Sequence, residues 1–420
     1  MTSAVPGPVA AGPGAAAMDV AAVERMLATV YRLAADEFTG RRTGTPGGRA
    51  AAAWLADELR RVGAAVSVDE FPVTGAVKDL YRTPLLHWSN DLGTWRLVHR
   101  RDFCEHLASA AAPQPRTGRL AQPGEADVRG AWLLGDELSA NRVERAAAAG
   151  ALGLLVPRGT DEAGWMPKMI AATARVALPV LAVRADVHRQ MHAFAAGTGA
   201  VTASVPLRTV DVTGANVLGV LRDGEPRGLS VLLTAHFDGV GDDPEVRLPA
   251  AADNASGVAV VLEAARQLRT GLDPRVGLAV ALLDAEEAGA HGSAHHAARV
   301  PAGTFVINVD GAAGLGEAAA VEAGGPAHPL LAAVDRAGRQ VEIPLRAGAM
   351  PSDNRRYAAA GIPAIGIGMG VPGYQTPAET PDRVQHGTLL AAARLVVATV
   401  QHLASARRQR QVWPHGAHTG

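Results

Sequence analysis

Val276-Gly-Leu-Ala-Val-Ala-Leu-Leu283-Asp-Ala-Glu286-Glu287 is an unbroken apolar run that ends in an acidic turn. The run is too short for an ordinary helix and has no polar face, so it reads as a strand buried on both sides. The same texture recurs at Val217–Leu221, Val231–Leu233, Phe305–Val309 and Ala364–Ile367. Helical spacing fills the gaps between these runs, near 255–269, 328–339 and 387–404. Buried strands alternating with helices predict an α/β fold, a mostly parallel mixed sheet sandwiched by helices. Ligands in such sheets bind beyond the carboxyl ends of the strands.

Working outward, residues 20–34 place Val20, Val23, Met26, Leu27, Val30 and Tyr31 on one helical face. The turn Thr43-Gly-Thr-Pro-Gly-Gly48 precedes a second helix that reaches about Val62, with Gly63 as its cap. Val66 and Val68 alternate with polar residues and suggest a strand. From 72 to 130 there is little periodicity. Strands then recur near 130–135, 150–156, 179–183 and 201–206, with helices up to Ala149 and near 186–196. This stretch predicts a small inserted α/β domain at 75–210. It interrupts a main domain at 19–74 and 211–405, between a disordered lead-in at 1–18 and a disordered tail at 406–420.

The 420 residues carry 40 Lys and Arg against 41 Asp and Glu, a net charge of -1, which argues against a nucleic-acid partner. No stretch approaches the ~18–20 consecutive apolar residues that cross a bilayer, so no membrane role is expected. Cys104 is the single cysteine, which excludes an intrachain disulfide and a thiolate metal site. The N-terminal apolar residues are broken by Pro6, Pro8 and Pro13, which does not suit a secretory signal, and a cytoplasmic location is the expectation.

The chemistry lies where the strands end. His236 and Asp238 follow Val231–Ala235, Asp253 opens the next helix, Glu286 and Glu287 follow Val276–Leu283, and Asp310 ends Phe305–Val309. Crowded carboxylates resist ionising unless a cation neutralises them. One imidazole with several carboxylates and no thiolate suits Zn²⁺ or an ion of similar hardness. A carboxylate left outside the ligand set can take a proton from water. Singly, each residue has an ordinary role as a helix cap or surface group; the ordered set points to a metal-dependent hydrolase.

As a set, His-x-Asp, Asp-Asn-x-Ser-Gly, Glu-Glu-x-Gly-x-x-Gly-Ser, Asn-x-Asp and Ser-Asp…Gly-Ile-Pro resemble metallopeptidase family twenty-eight, the co-catalytic zinc aminopeptidases and carboxypeptidases. The resemblance covers residues 20–72 and 210–404, including Gly40-Arg41-Arg42-Thr43-Gly44. It implies a phosphorylase-like, zinc-peptidase-like fold, and a protease-associated-like identity for the insertion. It implies that His236 and Asp310 bind one zinc, that Asp253 bridges two, and that Glu287 binds the second. Glu286 would be the general base and Asp238 would orient His236. Outside the resemblance, Tyr374 is a candidate contact to the oxyanion or the substrate. The implied substrate is a peptide or small amide.

Two departures qualify what the resemblance implies. Gln375 stands where the family has its last histidine ligand, in Tyr374-Gln-Thr-Pro-Ala-Glu-Thr380, and an amide oxygen is a weak zinc ligand. Asn354 replaces a histidine in Ser352-Asp-Asn354. Gln375 is therefore a weak or lost ligand position, and the second zinc site is in doubt. His291, His295, His296 and His386 are candidate substitutes. Three activities follow: an aminopeptidase-like exopeptidase, a binding module that has lost hydrolysis, or acyl transfer and cyclisation on one zinc.

Overall fold

The computed structural model describes residues 13–168, 175–194, 199–225 and 228–412. In chain order it begins with α1 (Pro13–Leu33), α2 (Pro46–Val62) and the long strand β1 (Ala65–Leu80). There follow β2 (Leu85–Asn90), β3 (Gly93–Arg96), β4 (Phe103–Glu105), β5 (Ala112–Ala121) and β6 (Ala131–Leu134). Next come α3 (Ala140–Ala148), β7 (Gly153–Arg158), β8 (Val180–Arg184), α4 (Ala185–Phe194) and β9 (Ala200–Val205). A second long strand, β10 (Leu207–Arg222), leads into β11 (Ser230–His236), α5 (Gly257–Gly271) and β12 (Gly277–Leu283). The chain then forms α6 (His291–Ala297), β13 (Thr304–Val309), β14 (Ala319–Gly324), α7 (His328–Gln340) and β15 (Leu345–Ala347). It closes with α8 (Asn354–Ala359), β16 (Ala364–Gly368) and α9 (His386–Val412).

One eight-stranded mixed sheet runs in the order β1-β10-β12-β11-β13-β16-β14-β15. Its centre, β12-β11-β13-β16, is parallel; β1 and β10 pair antiparallel to their neighbours, and β14 is antiparallel to β16 and parallel to β15. The alternation along β11 shows why its run is wholly apolar. Val231, Leu233 and Ala235 face a core shared with α1, α2, α5, α7 and α9. Leu232 faces the other layer, with Ala297 of α6 and Tyr357 of α8. After β11 the chain adds β12 on one side and then crosses to add β13 on the other. That reversal opens a crevice at the carboxyl ends of these three strands.

Helices reach into both stretches for which the sequence predicts disorder. Residues 13–18 extend α1, because Pro13 suits the first turn of a helix. Residues 406–412 extend α9, because Ala, Arg and Gln are strong helix formers. Residues 1–12 and 413–420 lie outside the described residues. The stretch His386–Arg408 is long and apolar enough to cross a membrane by length and composition, and more than half of it is buried against the protein.

A second eight-stranded sheet, β3-β2-β9-β5-β6-β7-β8-β4, is built from residues between β1 and β10. The chain leaves the main sheet along β1 and returns along β10, pairing antiparallel from Ala65 opposite Val220 to Leu80 opposite Leu207. Four strands lie between Leu85 and Ala121, where the sequence shows little periodicity. Prolines hide them. Pro113 and Pro115 fall where β5 shifts register against β9, between Ala112 and Arg116. Pro72 falls on an edge strand, where a missing N–H is tolerated. Trp88 and Trp132 are core residues of this unit, Trp95 stacks on Trp88, and Trp165 lies under the Arg101 guanidinium.

Candidate metal centre

Three strand ends and two loops meet at the crevice. His236 is the last residue of β11 and is fully buried. Its Nδ1 lies 3.1 Å from the backbone oxygen of Asp238, so the proton sits on Nδ1 and Nε2 is left as a lone-pair donor. Nε2 lies 3.1 Å from Asp253 Oδ1 and 3.3 Å from Asp310 Oδ1. Among the described residues, His236, Asp253 and Asp310 form a group whose ligand atoms lie within 4.8 Å of one another. One imidazole nitrogen and two carboxylate oxygens converging at that spacing fit a divalent ion such as zinc.

Asp238 acts differently from the expected orienting carboxylate. Its backbone carbonyl is the close partner of His236, and its carboxylate lies 3.5 Å from Nδ1. That carboxylate instead accepts the backbone N–H of Glu286 at 3.1 Å and of Glu287 at 3.2 Å. Asp238 therefore ties the end of β11 to the acidic turn after β12. Thr43 adds a third strut, donating to Asp284 Oδ1 at 2.7 Å. Asp284 in turn accepts the N–H of Ala215, on β10, at 2.9 Å. Burial and nearby Asp238 push the Asp284 carboxyl up to about 7.

Asp253 sits in an irregular turn, Ala251–Ser256, and α5 begins only at Gly257. Glu379 holds this turn. Its Oε1 accepts the N–H of Ala252 at 3.0 Å and of Asp253 at 2.6 Å, and its Oε2 accepts the N–H of Gln375 at 2.7 Å. Glu379 thus locks the Asp253 turn to the Gln375 loop. Burial and the Asp253 charge push Glu379 up to about 8.

Gln375 does enter the site. It is 2% exposed, and its Nε2 donates to Glu287 Oε2 at 2.9 Å. The inserted unit braces its loop from the other side. The backbone N–H of Lys168 donates to Gln375 O at 2.9 Å, and Thr376 Oγ1 donates to Asp161 Oδ2 at 2.7 Å. A buried ion-pair cluster joins the same two units: Arg100 Nε and Lys168 Nζ both contact Asp243, at 2.6 and 3.0 Å. The four candidate substitute histidines lie elsewhere. His295 contacts Asp69, His296 contacts the Tyr357 hydroxyl, His386 is exposed at the start of α9, and His291 is not in the metal-binding group.

Arg41 underlies the whole cluster. It is fully buried, and its donors go to four backbone oxygens: Phe237 at 2.7 Å, Leu33 at 2.6 Å, Pro249 at 3.0 Å and Ala250 at 2.7 Å. Burial pushes Arg41 down to about 10, against the pull of Glu379, Asp238, Asp253 and Glu287. It stays charged at neutral pH and offsets part of the acidic cluster. Arg41→Met is expected to destabilise the chain by about 3 kcal/mol or more, since each orphaned buried acceptor costs about 1–3 kcal/mol. Chemical denaturation measures this; a loss below about 1 kcal/mol would show that those carbonyls find other partners.

Neighbouring charges set the electrostatics. Burial and the neighbouring Asp310 charge raise Asp253; Glu287 is raised by burial, Asp253 and Glu286. Burial lifts Glu286 well above the ordinary carboxylate range. Burial also opposes a charged His236 ring, but Asp310, Asp238 and Asp253 outweigh it and hold His236 above its usual range. The carboxylates among these groups gain from a cation, which would take the place of the proton on His236.

A cavity of about 1220 Å³ opens over the cluster. Asp238, Asp253, Glu286, Glu287 and Asp310 line its floor, and Tyr374 edges it. Leu107 and Lys168 bring the inserted unit into its wall. Burial and the neighbouring Glu287 and Asp253 charges keep the Tyr374 phenol protonated.

Comparison with known proteins agrees with this geometry. Residues 216–400 match the family model described as peptidase family M28. That stretch, which carries His236, Asp253, Glu286, Glu287, Asp310 and Gln375, is similar to peptidase family M28. A Mycobacterium tuberculosis protein described as "Probable lipoprotein aminopeptidase LpqL" is 29% identical over 316 residues. The match covers 69% of this chain and 59% of that relative. Among solved structures, the aminopeptidase of Aneurinibacillus sp. strain AM-1 superposes with a TM-score of 0.68 at 22% identity, covering 91% of this chain and 94% of that one. A zinc aminopeptidase from Bacillus subtilis gives 0.68 at 19% identity, covering 95% and 96%. The mixed α/β architecture is that of these aminopeptidase structures.

Sequence reasoning located His236, Asp253, Glu286, Glu287, Asp310 and Gln375, and the structure brings all six to one cavity or its immediate floor. It passed over Glu379 and Arg41, although both lie inside segments singled out for other reasons. The available signal was a charged residue directly after a small one in a turn, Gly40-Arg41 and Ala378-Glu379.

Proposed function

We propose that the chain is a zinc-dependent exopeptidase of the aminopeptidase type, hydrolysing the amide bond after an N-terminal residue of a peptide or a small amide. The observation that carries this reading is the convergence of His236 Nε2, Asp253 and Asp310 on the floor of a cavity whose wall holds Glu286. His236, Asp253 and Asp310 would hold a divalent ion, which when bound would supply Lewis-acid polarisation of the scissile carbonyl and a more acidic water. Glu286 takes the proton from the attacking water as the C–O bond forms. It then delivers that proton to the departing amine nitrogen as the C–N bond breaks. Tyr374, held protonated, donates a hydrogen bond to the developing oxyanion. Asp238 keeps the relay in register by fixing the backbone of Glu286.

A panel of aminoacyl amides, assayed with and without added Zn²⁺, tests the reading. Hydrolysis that needs the metal and a free α-amine is expected. Activity on amino-blocked substrates alone would contradict the aminopeptidase assignment.

A further inference from the structure

The second metal position of the family has a different donor set here. It would be built from Asp253, Glu287 and Gln375, and every ligand atom is an oxygen. Gln375 is nearly buried and held at three points: its N–H by Glu379, its carbonyl by the Lys168 N–H, and its Nε2 by Glu287. Two acceptors in this contact remain without a partner, Gln375 Oε1 and Glu287 Oε1, and both are inaccessible to solvent. Turning the amide over does not remove the problem, because it would set the amide oxygen against Glu287 Oε2. Either orientation leaves buried oxygens of Gln375 and Glu287 without a donor, a deficit that a cation resolves.

An oxygen-only set suits hard ions, and loss of the imidazole removes most of zinc's advantage over them. We propose that this position is a site for a hard divalent cation of the Mn²⁺, Mg²⁺ or Ca²⁺ class, with zinc confined to the His236 position. The chain is then a mixed-metal centre, with Gln375 as the residue that sets its composition. The assignment rests on the hydrolase reading only for the occupant of the first position.

The test reads metal uptake, independent of turnover. The full chain is loaded with one equivalent of Zn²⁺ and titrated with Mn²⁺, with free and bound Mn²⁺ followed by electron paramagnetic resonance and totals by elemental analysis. Wild type is expected to hold one zinc and take up one Mn²⁺, with Mg²⁺ or Ca²⁺ competing for it. Gln375→Ala is expected to keep the zinc and lose Mn²⁺ uptake. Gln375→His is expected to bind a second zinc tighter by on the order of tenfold or more. Two zincs of similar affinity in wild type would overturn the proposal. So would no Mn²⁺, Mg²⁺ or Ca²⁺ uptake at millimolar concentration, or uptake unchanged in Gln375→Ala. None of these outcomes bears on whether zinc at His236 supports hydrolysis, so the two readings fail separately.

Discussion

Glu286→Gln is expected to lower kcat by about 10²–10⁴-fold, the usual contribution of a positioned proton acceptor, and to leave metal content unchanged. The separation of the two effects follows from the structure. Asp238 holds Glu286 through its backbone N–H, a contact that survives any change of side chain. The cation group of His236, Asp253 and Asp310 does not include it. An amide fills the same volume but accepts no proton at neutral pH, so the variant loses the relay and keeps the cleft. KM should change little, because the loss falls on the transition state. Steady-state kinetics with elemental analysis on the same preparation checks this; unchanged kcat would remove the base assignment.

His236→Ala is expected to abolish both metal retention and turnover. His236 supplies the only nitrogen of the group, and its Nε2 sits between two carboxylates. Without it, Asp253 and Asp310 face each other with no imidazole between them, and zinc affinity collapses toward that of a carboxylate pair. Circular dichroism on the variant, alongside dialysis against a chelator, tells loss of metal from loss of structure. Zinc content and kcat equal to wild type would place the ion elsewhere.

Legibility in the sequence tracked the physics of burial. His236, Glu286, Glu287 and Asp310 stand out because each interrupts or ends a run of apolar residues that only a central strand explains. The parallel centre of the sheet was readable for the same reason. The edges were not. β14 is half-buried, β15 is short and mostly exposed, β3 and β4 have only four and three residues, and β5 is broken by prolines and a register shift, so neither period nor composition marks them. Glu379 and Arg41 were hidden for a converse reason: a charged residue in a turn is ordinarily solvated, and only the folded chain shows these two enclosed. Gln375 was legible as a departure from a motif. Its contact with Glu287, and the insert's grip on its loop through Lys168 and Asp161, come from segments far apart in the sequence and needed the fold to appear.

The most direct test is the zinc content of the purified full chain, measured before and after exhaustive chelation together with the melting temperature. The account predicts one tightly held zinc per chain, absent in His236→Ala, and a fall in melting temperature when it is stripped. Well under one metal ion per chain, with a melting temperature indifferent to the chelator, would contradict it.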